Sequence, residues 1–258
     1  MFAEERQNRI IELVNRNGKA AVQEMSESLG VSLVTIRRDL ERLEEQGLLY
    51  RTHGGALSLE LGGRETAHER SFSEKEEAFA DEKVRIAEAA AAMVKEGDSL
   101  LFTPGTTNMM LVNRLRGIEG LSIVTNATNI ASSAADVKEW NVILTGGRIR
   151  PQSSALVGPL AEDSLDKLRA DRLFLGIDGL DIKSGLTTPS LEEASVNRKM
   201  IALAKQVVVV TDHSKFGKTA FSRIADLSAV DVLITDSGIP DEYADYIRKE
   251  TDIRLVLV

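Results

Sequence analysis

Apolar residues recur every three or four positions along the first fifty residues, and this spacing predicts three short helices. The first covers 4–16 and stops at Asn17-Gly18, and the third begins at a Ser32 cap and ends at Gly47. Gly30 makes a tight turn between the second helix and the third, as in a helix-turn-helix. The apolar positions behind this prediction are Ile10, Leu13, Val14, Val22, Met25, Leu29, Ile36, Leu40 and Leu43.

A small hairpin is predicted directly after the third helix. Residues 48–52 and 56–57 have the composition of two short strands, and the glycine turn at 53–55 separates them. Such a hairpin beside a helix-turn-helix is a wing. Residues 1–57 are therefore predicted to form a winged helix-turn-helix domain.

From residue 84 onward, short apolar runs alternate with amphipathic helical stretches. This alternation predicts a parallel α/β sheet covered by helices on both faces. We expect this second domain to cover 83–258, after a polar, charged linker at 58–82 of which part packs as a helix. The apolar runs cover 99–102, 121–124, 142–144, 173–177, 207–210, 230–234 and 253–258.

The composition of the 258 residues removes several classes of function. There is no cysteine, which excludes disulfides and thiolate metal sites, and three histidines give little basis for a zinc site. No metal or other cofactor is predicted. No apolar stretch approaches the length of a membrane span, so we expect a cytoplasmic protein without a membrane partner.

The net charge of −8 argues against a protein that binds nucleic acid through a general coat of lysine. Residues 1–57 are close to neutral, with eight Lys and Arg against nine Asp and Glu. Any DNA contact must therefore come from the local placement of arginines. On the third helix, Arg37 and Arg38 precede Glu41, Glu44 and Glu45, which leaves the amino-terminal half electropositive.

Guanidinium groups and small hydroxyls on such a helix suit phosphates and base edges in a major groove. In the wing, Arg51 suits a phosphate or the minor groove. The alternative for Arg37 and Arg38 is a solvated face on which they pair with Glu41 or Glu45. The candidate DNA-binding residues are Ser32, Thr35, Arg37, Arg38, Arg42, Arg51, His53, Gly54 and Gly55.

Five of the predicted strands end in glycine or short polar residues, and the carboxyl ends of parallel strands share the edge where ligands bind. Residues 105–107 open a helix, so their backbone N–H groups and hydroxyls suit a phosphate whose charge Arg148 and Lys215 would complete. Asn126, Asp178 and either Glu192 or Glu193 suit sugar hydroxyls. Singly, each of these motifs is also an ordinary turn or helix cap. The candidate effector-binding residues are Gly105, Thr106, Thr107, Thr125, Asn126, Gly147, Arg148, Asp178, Gly179, Glu193 and Lys215.

Residues 30–55, GVSLVTIRRDLERLEEQGLLYRTHGG, closely resemble the amino-terminal domain of the DeoR/GlpR family of bacterial transcriptional regulators. The TIRRDL run and the HGG of the wing are the specific marks. The second half matches in the family's order through Gly105-Thr106-Thr107, Thr125-Asn126, Gly146-Gly147, Asp178-Gly179 and residues 212–215. Leu33 and Val34 depart from the polar residues that the family more often shows after the cap.

The resemblance implies a repressor of carbohydrate genes that binds double-stranded operator DNA. Its second domain would resemble ribose-5-phosphate isomerase and glucosamine-6-phosphate deaminase, and would sense a phosphorylated sugar that releases the DNA. A dimer or tetramer is expected, because two-fold symmetric proteins read paired half-sites.

The competing interpretation is an enzyme, a sugar-phosphate isomerase or deaminase with a DNA-binding head. Asp178 and Glu193 would then move protons while Lys215 stabilises an enediolate. The sequence offers no evident poised acid–base pair, so a regulator without catalytic activity is favoured.

Overall fold

The computed structural model describes residues 3–52, 55–58 and 72–258. The chain divides into two compact units, Met1–Arg70 and Ser71–Val258. None of the helices in these described ranges is both long enough and apolar enough to cross a lipid bilayer.

The described part of the amino-terminal unit contains three helices and a small antiparallel sheet. The helices are α1 (Ala3–Asn17), α2 (Val22–Leu29) and α3 (Leu33–Glu45), and the strands are β1 (Lys19–Ala21), β2 (Tyr50–Thr52) and β3 (Gly55–Leu57). The strand order is β1-β3-β2. The predicted helices and hairpin are confirmed. Strand β1 was not predicted, because three residues with only Ala20 buried give no readable period.

The apolar stripe of α3 packs into the core of this unit. Ile36, Leu40 and Leu43 are almost completely buried in one cluster with residues of α1 and α2. Gly30 has the left-handed φ of 65° that the turn before α3 requires. The Ser32 hydroxyl then accepts a hydrogen bond from the Thr35 amide at 3.2 Å, which caps the helix as predicted.

All seven predicted apolar runs of the second unit become strands of one parallel sheet. They are β4 (Ser99–Phe102), β5 (Ser122–Thr125), β6 (Asn141–Leu144), β9 (Ala170–Leu175), β12 (Ala204–Val210), β14 (Val232–Thr235) and β15 (Arg254–Leu257). Their order is β15-β14-β12-β9-β4-β5-β6. The predicted α/β class and its parallel sheet are confirmed.

Helices cover both faces of this sheet, also as predicted. On β9, Leu173 and Leu175 belong to a cluster with α8, α9 and α10, whereas Phe174 faces α5, α6 and α7 and stacks on Phe102 at 5.2 Å. The helices of this unit are α4 (Phe72–Glu77), α5 (Ala80–Ala91), α6 (Thr106–Arg114), α7 (Thr128–Ala135), α8 (Pro159–Leu165), α9 (Leu191–Leu203) and α10 (Asp241–Glu250).

Short strands extend the chain beyond the carboxyl ends of the central strands. A hairpin pairs β7 (Arg148–Arg150) with β8 (Ala155–Val157), and a second antiparallel sheet joins β10 (Gly179–Asp181), β11 (Gly185–Thr188) and β13 (Ser222–Ala225). Within the predicted linker, α4 is the helix that the sequence led us to expect. Residues 59–71 of that linker lie outside the described residues.

Candidate functional site

Helix α3 turns three arginines toward solvent. Arg37, Arg38 and Arg42 are exposed, on the side of the helix away from its buried stripe. Within residues 3–52, 55–58 and 72–258, none of the three takes part in a side-chain hydrogen bond or ion pair. The alternative pairing with Glu41 is therefore not formed, and the side chain of Glu45 lies outside the described residues.

Asp39, the acid that follows Arg38, points inward instead. It is 2% exposed, and its carboxylate accepts hydrogen bonds from Arg6 Nη2 at 3.1 Å and Gln7 Nε2 at 3.2 Å. These bonds fix α3 against α1. They also remove a negative charge from the surface that carries the arginines.

The first turn of α3 presents a mixed surface. The hydroxyls of Ser32 and Thr35 are bonded to each other at 2.9 Å, and Val34 is 68% exposed. An exposed valine beside guanidinium groups suits the methyl group of thymine. The polar candidates and the unusual Val34 therefore share one exposed end of the helix.

The wing candidates divide into two groups. His53 and Gly54 lie outside the described residues, and so does the side chain of Arg51 on β2, so their DNA contacts stay predictions. Gly55 has a packing reason for being glycine, because a Cβ there would lie 1.9 Å from the Ala20 carbonyl oxygen of β1. This close approach of β1 to β3 accounts for Gly55 without any contact to DNA.

The five polar strand ends meet at one edge of the sheet in the second unit. Strands β12, β9, β4, β5 and β6 are consecutive neighbours and run parallel. Asp178 follows β9, Thr106 follows β4 and Lys215 follows β12, so these three come from adjacent strands. The predicted common edge is confirmed.

Asp178 is at the centre of this edge. Its carboxylate pairs with Lys75 Nζ at 2.7 Å and accepts a hydrogen bond from Thr188 Oγ1 at 3.0 Å. Burial alone would raise the pKa of Asp178, but the charges of Lys75 and Lys215 and these hydrogen bonds outweigh it and lower the pKa. Asp178 is therefore held as an anion between cations.

Lysines outnumber carboxylates around Asp178. Burial lowers the pKa of Lys215, against the opposing charges of Asp212 and Asp178. Lys83 is 4% exposed, donates hydrogen bonds to the carbonyls of Lys75 and Ala78, and acts electrostatically on Asp212. Three lysines against two carboxylates give this edge the charge balance to attract an anion.

The sequence left Glu192 and Glu193 as alternatives, and the structure separates them. Glu193 is buried, pairs with Arg150 at 3.2 Å and accepts a hydrogen bond from Thr188 at 3.3 Å, so it joins the network of Asp178. Glu192 is exposed and pairs with Arg148 at the surface. Arg148 makes no printed contact with Asp178 in the described part of the chain, so we leave it out of the proposed phosphate site.

The start of α6 lies against the same network. Gly105 is the residue before the helix, and the hydroxyl of Thr106 donates to the Lys75 carbonyl at 3.4 Å. Thr107 follows in the first turn and is buried as well. Asn108 donates to the carbonyls of Thr103 and Phe174 at 2.8 and 3.0 Å, which holds the helix start between β4 and β9.

Three of the predicted effector residues have structural roles that explain them. The Thr125 hydroxyl donates to the Phe102 carbonyl at 2.8 Å and accepts from the Ala127 amide at 3.0 Å. A Cβ on Gly147 would lie 2.7 Å from the Val157 oxygen, and one on Gly179 would lie 2.4 Å from the Lys218 oxygen. Packing, rather than a ligand, accounts for these three.

Asn126 keeps an atom for a ligand. Its amide nitrogen donates to the Leu156 carbonyl at 3.0 Å, while its buried Oδ1 has no hydrogen-bond partner in the described residues. A buried acceptor without a donor is costly, and a hydroxyl of a bound molecule would satisfy it.

Sequence reasoning missed four residues of this network: Lys75, Lys83, Arg150 and Thr188. The two lysines lie in or beside a Glu- and Lys-rich stretch that reads as a linker, and no local pattern distinguishes them. Thr188 ends a strand in a polar run, which is the signal that identified the other strand ends. Arg150 lies two residues after Arg148, and strand alternation places both on one side.

A winged helix-turn-helix joined to an α/β unit with a charged strand-end edge defines a class of DNA-binding regulators that carry a sensor domain. Residues 6–61 match the DeoR-like helix-turn-helix domain, and residues 78–237 match the DeoR C-terminal sensor domain. The chain belongs to the DeoR family of transcriptional regulators, and it is a DNA-binding regulator.

Similar proteins carry regulator names. The chain is 39% identical to the transcriptional regulator GlpR of Haloferax volcanii, over 93% of this chain and 92% of that protein. It is 34% identical to a putative aga operon transcriptional repressor of Escherichia coli O157:H7, over 98% and 93%. It is 35% identical to the glycerol-3-phosphate regulon repressor of Escherichia coli K12, over 92% of each.

Solved structures overlap this fold only in part. Ribose-5-phosphate isomerase A of Neisseria gonorrhoeae has a TM-score of 0.39 at 15% identity and covers 52% of each chain. The isomerase of Methanocaldococcus jannaschii has a TM-score of 0.40 at 20% identity, over 53% and 54%. Overlaps of this extent carry no argument about activity.

Proposed function

We propose that this chain is a repressor of carbohydrate-metabolism genes that leaves its operator when a phosphorylated sugar or related metabolite binds at the strand-end edge. The observation that carries the proposal is the excess of lysine around Asp178, next to the first turn of α6. Cations beside a helix amino terminus suit a phosphate. The names of the relatives, among them a repressor of the glycerol-3-phosphate regulon, support the same class of ligand.

On DNA, we propose that α3 enters the major groove with Arg37 and Arg38 toward phosphates and bases. A homodimer would place two such helices on paired half-sites. For the ligand to release the operator, it must bind the conformation of low DNA affinity better than the competent one, because equal affinity shifts no equilibrium.

A ligand screen by thermal unfolding tests the sensor site. Glycerol 3-phosphate and a panel of phosphorylated trioses, pentoses and hexoses are added to the full chain. A ligand at a hundred times its dissociation constant should stabilise the protein by about 2.7 kcal/mol. Thr106→Val and Lys215→Met should remove that gain and leave operator affinity nearly unchanged, whereas Lys183→Met, at an exposed lysine, should keep it. A gain that survives both site variants would show that the ligand binds elsewhere.

The same mixtures distinguish a sensor from an enzyme. We propose that no sugar phosphate is converted, because Asp178 and Glu193 are both held by cations and by Thr188 rather than left poised for proton transfer. Stabilisation without product supports the sensor. Turnover that disappears in Asp178→Asn would instead support an isomerase or deaminase.

A further inference from the structure

Helix α4 is attached to the strand-end edge through groups that a bound anion also needs. We infer that Lys75 is a ligand-contacting residue of the effector site, and that an anion bound there takes Lys75 from Asp178 and loosens α4. The inference rests on the proposed function, which it deepens by naming the residue that couples the ligand to the chain leading from the DNA-binding unit.

Described contacts tie the α4 region to three different strand ends. Lys75 Nζ pairs with Asp178 after β9, and the Lys75 carbonyl accepts from Thr106 after β4. Phe79, in the turn after α4, packs edge-on against the ring of His213 after β12, with ring centroids 4.7 Å apart. The segment therefore spans the edge where the ligand is proposed to bind.

Two of these three contacts compete with a phosphate. A phosphate at the start of α6 accepts hydrogen bonds from hydroxyls and lysines, so it would use the Thr106 hydroxyl that now donates to the Lys75 carbonyl. Its greater negative charge and three acceptor oxygens would also attract Lys75 Nζ, a flexible point charge, away from the single carboxylate of Asp178. Ligand binding and full attachment of α4 are therefore mutually exclusive.

The third contact stays in place, so α4 loosens without leaving. The Phe79–His213 contact involves no group that a phosphate would bind, and His213 itself is held by Asp236 at 2.7 Å. Lys83 also keeps its hydrogen bonds to the carbonyls of Lys75 and Ala78. The movement is thus confined to α4 and the residues before it, which lead toward the DNA-binding unit.

Amide hydrogen exchange of residues 72–79 in the full chain tests this inference, with inorganic phosphate and glycerol 3-phosphate as probes and sodium chloride at matched ionic strength. In the wild type, a probe that raises the melting temperature should speed exchange in α4 about tenfold, the effect expected from loss of one charge-assisted hydrogen bond. In Lys75→Met, α4 should exchange fast without a probe, show no further change, and bind the probe about tenfold more weakly. Lys75→Arg should restore the wild-type response, and Lys183→Met should behave as wild type.

Two results would overturn the inference, and they differ in what they say of the proposed function. If a probe stabilises the protein through Lys215 but α4 exchange stays constant or slows, or if Lys75→Met binds it as tightly as wild type, the site stands and the role of Lys75 fails. If neither probe nor any panel member stabilises the wild type, the site itself fails and the inference fails with it.

Discussion

Asp39 and Arg38 show how neighbouring charged residues take opposite roles on one helix. Arg38 is exposed, whereas Asp39 is buried against Arg6 and Gln7 of α1. A charge count along α3 would treat them as cancelling. Because the carboxylate is neutralised inside the unit, the exposed surface carries the arginine charge alone.

Replacing Asp39 by alanine should destabilise the amino-terminal unit by about 3 kcal/mol, because it leaves Arg6, whose side chain is 13% exposed, without its carboxylate. Hydrogen exchange of the α1 and α3 amides would measure the loss. Glu12→Ala, at an exposed position of α1, is the matched control. A loss no larger than that of the control would show that the pair contributes nothing to the fold.

Val34 should contribute to base preference. If its exposed side chain meets a thymine methyl, replacing that thymine by uracil should weaken wild-type binding about fourfold, the value of one buried methyl-sized group. In Val34→Ala the same replacement should have no effect, while Leu48→Ala should retain it. Uracil interference on a selected operator makes the measurement. Identical interference patterns for wild type and Val34→Ala would exclude the contact.

Asp178 should make the stability of the sensor unit depend on acid pH. Its pKa lies below the ordinary value of 3.8, so the carboxylate stabilises the fold fully above that value, and the contribution is lost as the pH falls toward the folded pKa. The stability gap between wild type and Asp178→Asn should therefore shrink as the pH is lowered. Urea unfolding followed by the fluorescence of Trp140, the only tryptophan, reports on this unit. A gap that stays constant through the acid range would contradict the assignment.

At the scale of elements, the long periodic segments were predictable and the short ones were not. Seven buried strands produced seven apolar runs, and the stripe of Ile36, Leu40 and Leu43 produced α3. Strands such as β7 and β10 have three residues each, which is too few to establish an alternation. Helix α4 is six residues of mostly charged sequence, so its position depends on tertiary contacts such as Lys75 to Asp178.

The candidate site was predictable to the extent that it follows strand ends. Asp178, Glu193, Thr106 and Lys215 were identified because each comes shortly after, or caps a helix beyond, a recognisable strand. Gly147 and Gly179 were misassigned, because a glycine that admits a ligand and a glycine that admits a neighbouring carbonyl look the same in sequence. Lys75 was beyond reach, because it approaches the site from outside the strand pattern.

For the whole molecule, DNA affinity should depend steeply on salt despite the net charge of −8. If Arg37, Arg38, Arg42 and Arg51 each contact a phosphate in both subunits of a dimer, about eight counterions are displaced and the slope of log affinity against log salt should be roughly −7. Titration of a labelled operator at several salt concentrations gives the slope. Arg37→Ala should lower it toward roughly −5, whereas Arg254→Ala, exposed in the other unit, should leave it unchanged. A slope near zero would exclude this mode of binding.

The turn between α4 and α5 has an energetic consequence of its own. Phe79 adopts a left-handed conformation with φ of 53°, which costs a residue with a side chain about 1 kcal/mol relative to glycine. Phe79→Gly would relax the backbone and delete the ring that packs on His213. The corner behaves like a loaded spring held by an aromatic catch, and the sign of that variant's effect on stability tells which of the two is stronger.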